Sequence, residues 1–483
     1  MRTLTDGVRH WVPQNRWDLI APLPASDQQP DLAIVVPYFE QHESLLRMYA
    51  ALGVARLDPW RTEIVIVDDG SSAPPPPPPP ELPFKLTILR QADLGCRPGA
   101  ARNLAASHTR ADVLVFLDSD TLPEPCTVAR LAAWPASMPD ALVVGRRGHV
   151  DLAGWSERQI QDWLTGNGAA PPRRADPAWL TDGYRSSRDL LDADERSFRY
   201  VISAVMACHR SLFDDIGGFD DERSHYGGED WELATRAFTN GGVLVHDPAA
   251  VAWHDEPDWA EREHGGETLR YAAGDGEPAS GDKTEETLWL ASHIPDPATR
   301  GVALRQRFAD TIVVLQLPPS TSPAVFVTTI HTVLTELPDV SLQLPEHVPE
   351  LVTSYCRHDP RVRRCRPGDD ELRRARTVVT LRSGMEARPG ALRALVASVG
   401  PGGPGRVDIV DDGRPVGRVE SSRAAGRARR AATFGIDAEA VVDELFGRRT
   451  VEALGAGLRA LPDDLDLAAW LAESASTERG FDG

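Results

Sequence analysis

Val113-Leu114-Val115-Phe116-Leu117-Asp118-Ser119-Asp120 is the stretch on which the fold of this chain turns. Five consecutive apolar residues, two of them β-branched, read as a strand covered on both faces. Carboxylates at i and i+2 just past its end can converge on one small point, which suits a hard divalent cation with oxygen ligands. Such a cation could in turn neutralise a diphosphate. A solvated acidic turn accounts for the same three polar residues, since Asp and Ser favour turns. The neighbouring sequence discriminates between the two.

Upstream, Leu32-Ala33-Ile34-Val35-Val36-Pro37 is a short apolar strand ended by proline. Ile64-Val65-Ile66-Val67 is a second, followed at once by Asp68-Asp69-Gly70-Ser71-Ser72. Glu43 to Leu57 has helical spacing through Leu45, Leu46, Tyr49 and Leu52; Lys85 to Leu89 reads as a third strand and Gly99 to Ser107 as a helix. Strands alternating with helices predict an α/β domain with a mostly parallel sheet. Ligands of such sheets bind beyond the carboxyl ends of the strands, where both acidic motifs fall. The run Pro74 to Pro80 is a stiff polyproline II excursion to which no function is assigned.

Three further clusters carry chemistry. A strand-end acid such as Asp69, after Pro37-Tyr38-Phe39-Glu40, can accept a hydrogen bond from a nucleobase N–H, and Gly70 permits the sharp exit. Gly95-Cys96-Arg97-Pro98-Gly99-Ala100-Ala101-Arg102-Asn103 is a glycine-flanked loop entering a helix, suited to phosphate oxygens or simply a helix start with solvated arginines. Gly217-Gly218-Phe219-Asp220 precedes Gly227-Gly228-Glu229-Asp230-Trp231, an acid pair that opens a helix, where the dipole favours carboxylates. Helix capping accounts for such a pair equally well.

The order strand, DDGS, ARN, strand, DSD is specific in combination. Residues 31–255 resemble a family 2 glycosyltransferase with the A-type nucleotide-diphospho-sugar transferase fold. The resemblance implies that Pro37, Phe39, Asp69, Arg97 and Arg102 line the nucleotide pocket. It also implies that Asp118 and Asp120 contact the nucleotide sugar and its metal, Asp120 directly. Phe39 departs from the family's frequent tyrosine, which removes a hydroxyl contact to the base. The Gly227-Asp230 segment is similar to the GGED segment of the galactosyltransferase family 7 C-terminal region. By that similarity Asp230 is the general base for the acceptor hydroxyl and Glu229 helps to hold the acceptor. The related families place a third metal ligand at the position of His254, and imidazole with carboxylates fits Mn2+ or Mg2+. Trp163, Trp179, Asp182, Tyr184 and Arg185 either meet a sugar acceptor or pack the underside of the domain.

The second half resembles the first more faintly. Val379-Thr380-Leu381-Arg382-Ser383-Gly384 aligns on Val115 to Asp120 without gaps, and 382 − 118 and 389 − 125 (the following prolines) both give 264. Arg382 and Gly384 replace both acids, so a divalent cation is not expected there. The expected organisation is an irregular arm over 1–30, a catalytic domain over 31–270 and a Gly-rich linker over 271–304. A degenerate transferase-like α/β domain over 305–430 and a helical tail over 431–483 follow.

A formal charge of −20 argues against a nucleic-acid partner. Five scattered cysteines lack metal-ligand spacing and fit reduced thiols in a cytoplasmic compartment. No signal-peptide core and no run of membrane-spanning length is present. The expected partners are therefore a nucleoside diphosphate sugar, a UDP-sugar first, and a carbohydrate or other hydroxyl acceptor, with self-association left open. Two rivals stand beside an inverting transferase: a retaining enzyme of the polypeptide N-acetylgalactosaminyltransferase type, and a non-catalytic sugar-nucleotide binding protein.

Overall fold

The computed structural model describes residues 2–22, 31–224, 227–255, 281–301, 304 and 306–475, with short strand pieces at 263–264 and 267–268. The chain forms two compact units, Thr3–Phe238 with Gly242–Leu290, and Ala291–Gly483 with Met1–Arg2 and Thr239–Gly241. The boundary at Leu290 falls inside the helix Gly281–His293, within the expected linker. Residues 271–280 of that linker lie outside the described residues.

The first unit is built on eight strands: β1 (Leu32–Tyr38), β2 (Thr62–Asp68), β3 (Lys85–Arg90), β4 (Val113–Leu117), β5 (Thr121–Pro123), β6 (Ala141–His149), β7 (Val205–His209) and β8 (Val243–His254). They lie in the order β3-β2-β1-β4-β7-β6-β8-β5. β3, β2, β1 and β4 run parallel, β7 is antiparallel to both neighbours, and β8 is parallel to β6. This is the mostly parallel α/β sheet that strands alternating with helices predict. β4 is buried along its whole length, as a five-residue apolar run requires when both faces are covered. Phe116 meets Phe213 and Phe219 at 5.6 Å, which ties the sheet centre to the segment before the Glu229 helix.

The arm expected to be irregular has structure of its own. Leu4–Thr5 and His10–Trp11 pair as a short hairpin, Trp11 is fully buried, and the Asn15 side chain both donates to and accepts from the backbone of Leu244. The proline run also has an anchor, since Tyr49 Oη donates to Pro76 O at 3.1 Å.

The second unit carries β9 (Thr311–Leu315), β10 (Val340–Gln343), β11 (Val362–Arg363), β12 (Thr377–Leu381), β13 (Met385–Ala387), β14 (Arg406–Asp411), β15 (Arg414–Ser421), β16 (Arg448–Glu452) and β17 (Leu458–Ala460). Its main sheet has the order β11-β10-β9-β12-β15-β14-β16. The tail contains the expected helices, Ala438–Val441 and Leu467–Ala475, but also β16 and β17. β16 pairs with β14, so the tail completes the second sheet.

Candidate donor and acceptor site

Sheet geometry brings together the acids that follow β2 and β4. Asp69 leaves β2 with its N–H on Tyr38 O at 2.8 Å, and its carboxylate accepts from Gln91 Nε2 at 2.6 Å and from the Arg97 N–H at 2.8 Å. Gly70 makes the exit at φ +91, a conformation that glycine alone adopts freely. The Arg97 guanidinium turns the other way and donates to Asp221 O at 3.2 Å, so its backbone, not its charge, meets Asp69. Pro37, expected to end β1, lies within it, since Tyr38 still pairs with Asp68, and Phe39 stands 48% exposed just beyond the strand.

Asp120 is buried past β4. Its Oδ2 accepts from Gln41 Nε2 at 2.9 Å and lies 3.5 Å from His254 Nε2. The pairing of β5 with β8 produces this meeting: His254 stands opposite Thr121, the residue after Asp120. Gln41 uses both ends of its amide, because its Oε1 accepts from the Ser119 hydroxyl. Asp118 faces a different partner, with Oδ1 2.7 Å from Arg102 Nη2. Among the described residues no group of three His, Cys, Asp or Glu side chains is gathered as a metal cage. The carboxylate and imidazole of Asp120 and His254 nonetheless form a donor pair that suits Mn2+ or Mg2+, and Asp118 follows two residues before Asp120.

Arg102 is 2% exposed and reaches across to the other acid motif, with Nη1 3.2 Å from Glu229 Oε1. Its ring-facing side lies 5.1 Å from the centre of Phe219. Burial disfavours the guanidinium charge, but Asp118, Glu229 and Asp230 outweigh it and raise the Arg102 pKa. Asn103, next in the helix Pro98–His108, clamps the same region. Its amide donates to Phe219 O and accepts from the Phe219 N–H, both at 2.9 Å. A Cβ on Gly218 would fall 2.6 Å from Asn103 Oδ1, so a glycine is required there.

Glu229 and Asp230 open the helix Glu229–Thr239 after Gly227 and Gly228, both at positive φ. Burial pushes the Asp230 carboxyl up to about 7, and Glu229 beside it adds to the rise. Arg102 and the N–H groups of Trp231 and Ser203 oppose it. An acid poised near neutrality can accept a proton from an alcohol and release it again.

The five residues read as either acceptor contacts or packing divide. Tyr184 is buried, stacks on His246 at 3.5 Å and donates to Tyr200 O at 2.7 Å, which is a packing role. Trp163 sits in a tryptophan cluster, 6.2 Å from Trp155 and 5.7 Å from Trp253. Arg185 pairs with Asp182 on the surface. Trp179 lies 6.5 Å edge-on from Trp231, the neighbour of Asp230.

Sequence reasoning assigned no role to Gln41, Gln91 or Asn103. Gln41 and Gln91 stand just past the carboxyl ends of β1 and β3, where the sheet rule places ligands, and Asn103 adjoins Arg102. All five cysteines are free. No described helix is long and apolar enough to cross a membrane.

Residues 33–217 match the family described as glycosyl transferase family 2, and residues 193–250 the one described as N-terminal domain of galactosyltransferase. Chondroitin synthase of Pasteurella multocida is 26% identical over 246 residues, which is 48% of this chain and 25% of that protein. Validoxylamine A glucosyltransferase of Streptomyces hygroscopicus subsp. limoneus is 29% identical over 237 residues, 46% of this chain and 51% of that protein. The chain thus spans between a quarter and about half the length of these relatives. A solved mannosyltransferase from Pyrobaculum calidifontis, in complex with GDP-Man and Mn2+, is 19% identical at a TM-score of 0.36, over 57% of this chain and 64% of its own.

Proposed function

We propose that this chain, whose residues 33–217 belong to glycosyl transferase family 2, moves a sugar from a nucleoside diphosphate sugar to an acceptor hydroxyl with inversion. The observation that carries the proposal is the apposition, through Arg102, of the donor acid Asp118 and the acid pair Glu229-Asp230. Asp69 receives a nucleobase N–H, with Pro37, Phe39 and the Arg97 segment around it, and a UDP-sugar is the first donor to try. Asp120 and His254, joined by Asp118, would hold Mn2+ or Mg2+, which would neutralise the departing diphosphate.

On the other side, Asp230 removes the proton of the acceptor hydroxyl, and Glu229 orients that acceptor. The position of its pKa near neutrality supports this role, because a base works best close to the working pH. The acceptor class is a carbohydrate or another alcohol, and Trp179 with Trp231 offers aromatic surface beside the base. Five free thiols support a cytoplasmic setting. A thermal-shift screen over nucleotide sugars with MnCl2 tests donor binding; a ligand at a hundred times its Kd adds about 2.7 kcal/mol to stability. NMR of the product then reads the anomeric configuration. Retention would remove Asp230 from the role of base.

A further inference from the structure

We infer that the second unit is a structural repeat of the first whose donor crevice is sealed, so that each chain holds a single nucleotide-binding crevice. The inference rests on the reading of the first crevice as the donor site.

Strand order is the first support. Subtracting eight from each label of β11-β10-β9-β12-β15-β14-β16 reproduces β3-β2-β1-β4-β7-β6-β8. Every direction agrees as well: parallel from β11 to β12, antiparallel on both sides of β15, parallel between β14 and β16. The counterpart of β5, β13, also forms an antiparallel pair, but with the separate strand β17 and not with β16, the counterpart of β8. Register agrees too. Leu32 stands opposite Thr62 and Val113 in the first sheet, and Thr311 opposite Val340 and Thr377 in the second.

This register identifies equivalent crevice positions. Asp69 lies seven residues past Thr62, and His347 seven past Val340. Asp69 donates its N–H to Tyr38 O; His347 places a ring nitrogen 2.8 Å from Leu317 O, the carbonyl at the equivalent position. Asp118 donates its N–H to Ala204 O at 3.3 Å, and Arg382 donates to Val416 O at 2.8 Å. Arg382 therefore keeps the backbone bond of Asp118, His347 meets the equivalent carbonyl with its ring instead of its N–H, and all three carboxylates are replaced, by His347, Arg382 and Gly384.

The crevice is also filled. In the first unit the segment after β1 presents the polar Gln41 to Asp120. In the second, the helix Pro323–Glu336 after β9 presents Val325, and a Cβ on Gly384 would fall well inside van der Waals contact of Val325 Cγ1. An aspartate at 384 thus lacks the room that Asp120 has. Cation and diphosphate lose their ligands together.

Calorimetric titration of the full chain with UDP and with GDP, each with MnCl2, tests the inference. One site per chain is expected, abolished by Asp120→Ala and unchanged by Arg382→Ala or His347→Ala. A second site that survives Asp120→Ala and is lost in Arg382→Ala overturns it. If neither diphosphate binds the wild type, the donor reading fails, and the seal is judged without ligand. Gly384→Asp should then lower Tm by several degrees through overpacking, and adding Val325→Gly should recover most of it. A Gly384→Asp variant that melts like the wild type overturns the sealed crevice.

Discussion

Asp118 and Glu229 share one guanidinium. Arg102, on a helix remote in sequence from Glu229, lies 2.7 Å from the first and 3.2 Å from the second. The acid after β4 and the acid that opens the helix Glu229–Thr239 are therefore joined by one buried cation. Arg102→Gln should cost about 3–5 kcal/mol in denaturant unfolding, because it leaves Glu229 buried beside Asp230 without its counter-charge. Arg102→Lys keeps the charge but not the fork, and should recover only part of the loss.

Asp230→Asn should keep donor binding and lose turnover by about 10²–10⁴-fold, the usual worth of a positioned base. In the wild type, kcat/KM should rise with pH and level off above about 7, where the carboxyl is ionised. Arg102 opposes the upward shift of Asp230, so Arg102→Gln should move the rising limb to higher pH. A pH profile that is flat from 5 to 8 would refute the role of base.

The same titration predicts stability. Asp230 is held near 7 in the folded chain, against roughly 3.9 for an unfolded aspartate. Between those values the folded chain binds the extra proton, so stability falls as pH rises through that window. Asp230→Asn removes the titration. Its Tm should exceed that of the wild type above pH 7, and the gap should close toward pH 4.

Asp120→Ala should abolish cation-dependent donor binding. Gln41→Ala, which removes the amide that holds Asp120 and Ser119, should weaken it about 10–100-fold, the range seen when partners of metal ligands are lost. Calorimetry with a diphosphate and MnCl2 separates the two. Equal affinities for Gln41→Ala and wild type would show that Asp120 needs no such support.

Asn103→Ala should destabilise the first unit by about 1–3 kcal/mol, since a buried N–H and a carbonyl of Phe219 lose their partner together. Urea unfolding measures it. Turnover should fall as well, because the clamped segment leads into Glu229 and Asp230.

Buried apolar runs made β1, β2 and β4 legible in the sequence, because strands covered on both faces admit only apolar residues, while β3 is a half-exposed edge strand with a shorter apolar signal. Asp69, Asp118 and Asp120 stood out because they follow the carboxyl ends of strands, whereas His254 stood out only through the resemblance. Two kinds of feature were not. Gln41, Gln91 and Asn103 act through hydrogen bonds to groups far along the chain, and nothing local marks an amide as a holder. β16 was hidden inside an Ala/Arg/Leu-rich tail, since Arg448-Arg449-Thr450-Val451-Glu452 is an exposed edge strand with almost no apolar signal. The arm over 1–30 looked irregular for a similar reason: Asn15 pairs with Leu244 by its side chain, which leaves no period to read.

The ladder that sets His254 against Thr121 acts as a ruler for the chemistry. Length changes in the loops between β5 and β8 leave the distance from Asp120 to His254 untouched, because His254 lies on β8 and Asp120 in the tight turn that joins β4 to β5. A single residue inserted within the last turns of β8 has the opposite effect. It would swing His254 to the other face of the sheet and blind the site while nearly every other contact survived. The stretch between β6 and β7 can therefore be remodelled without moving His254 away from Asp120.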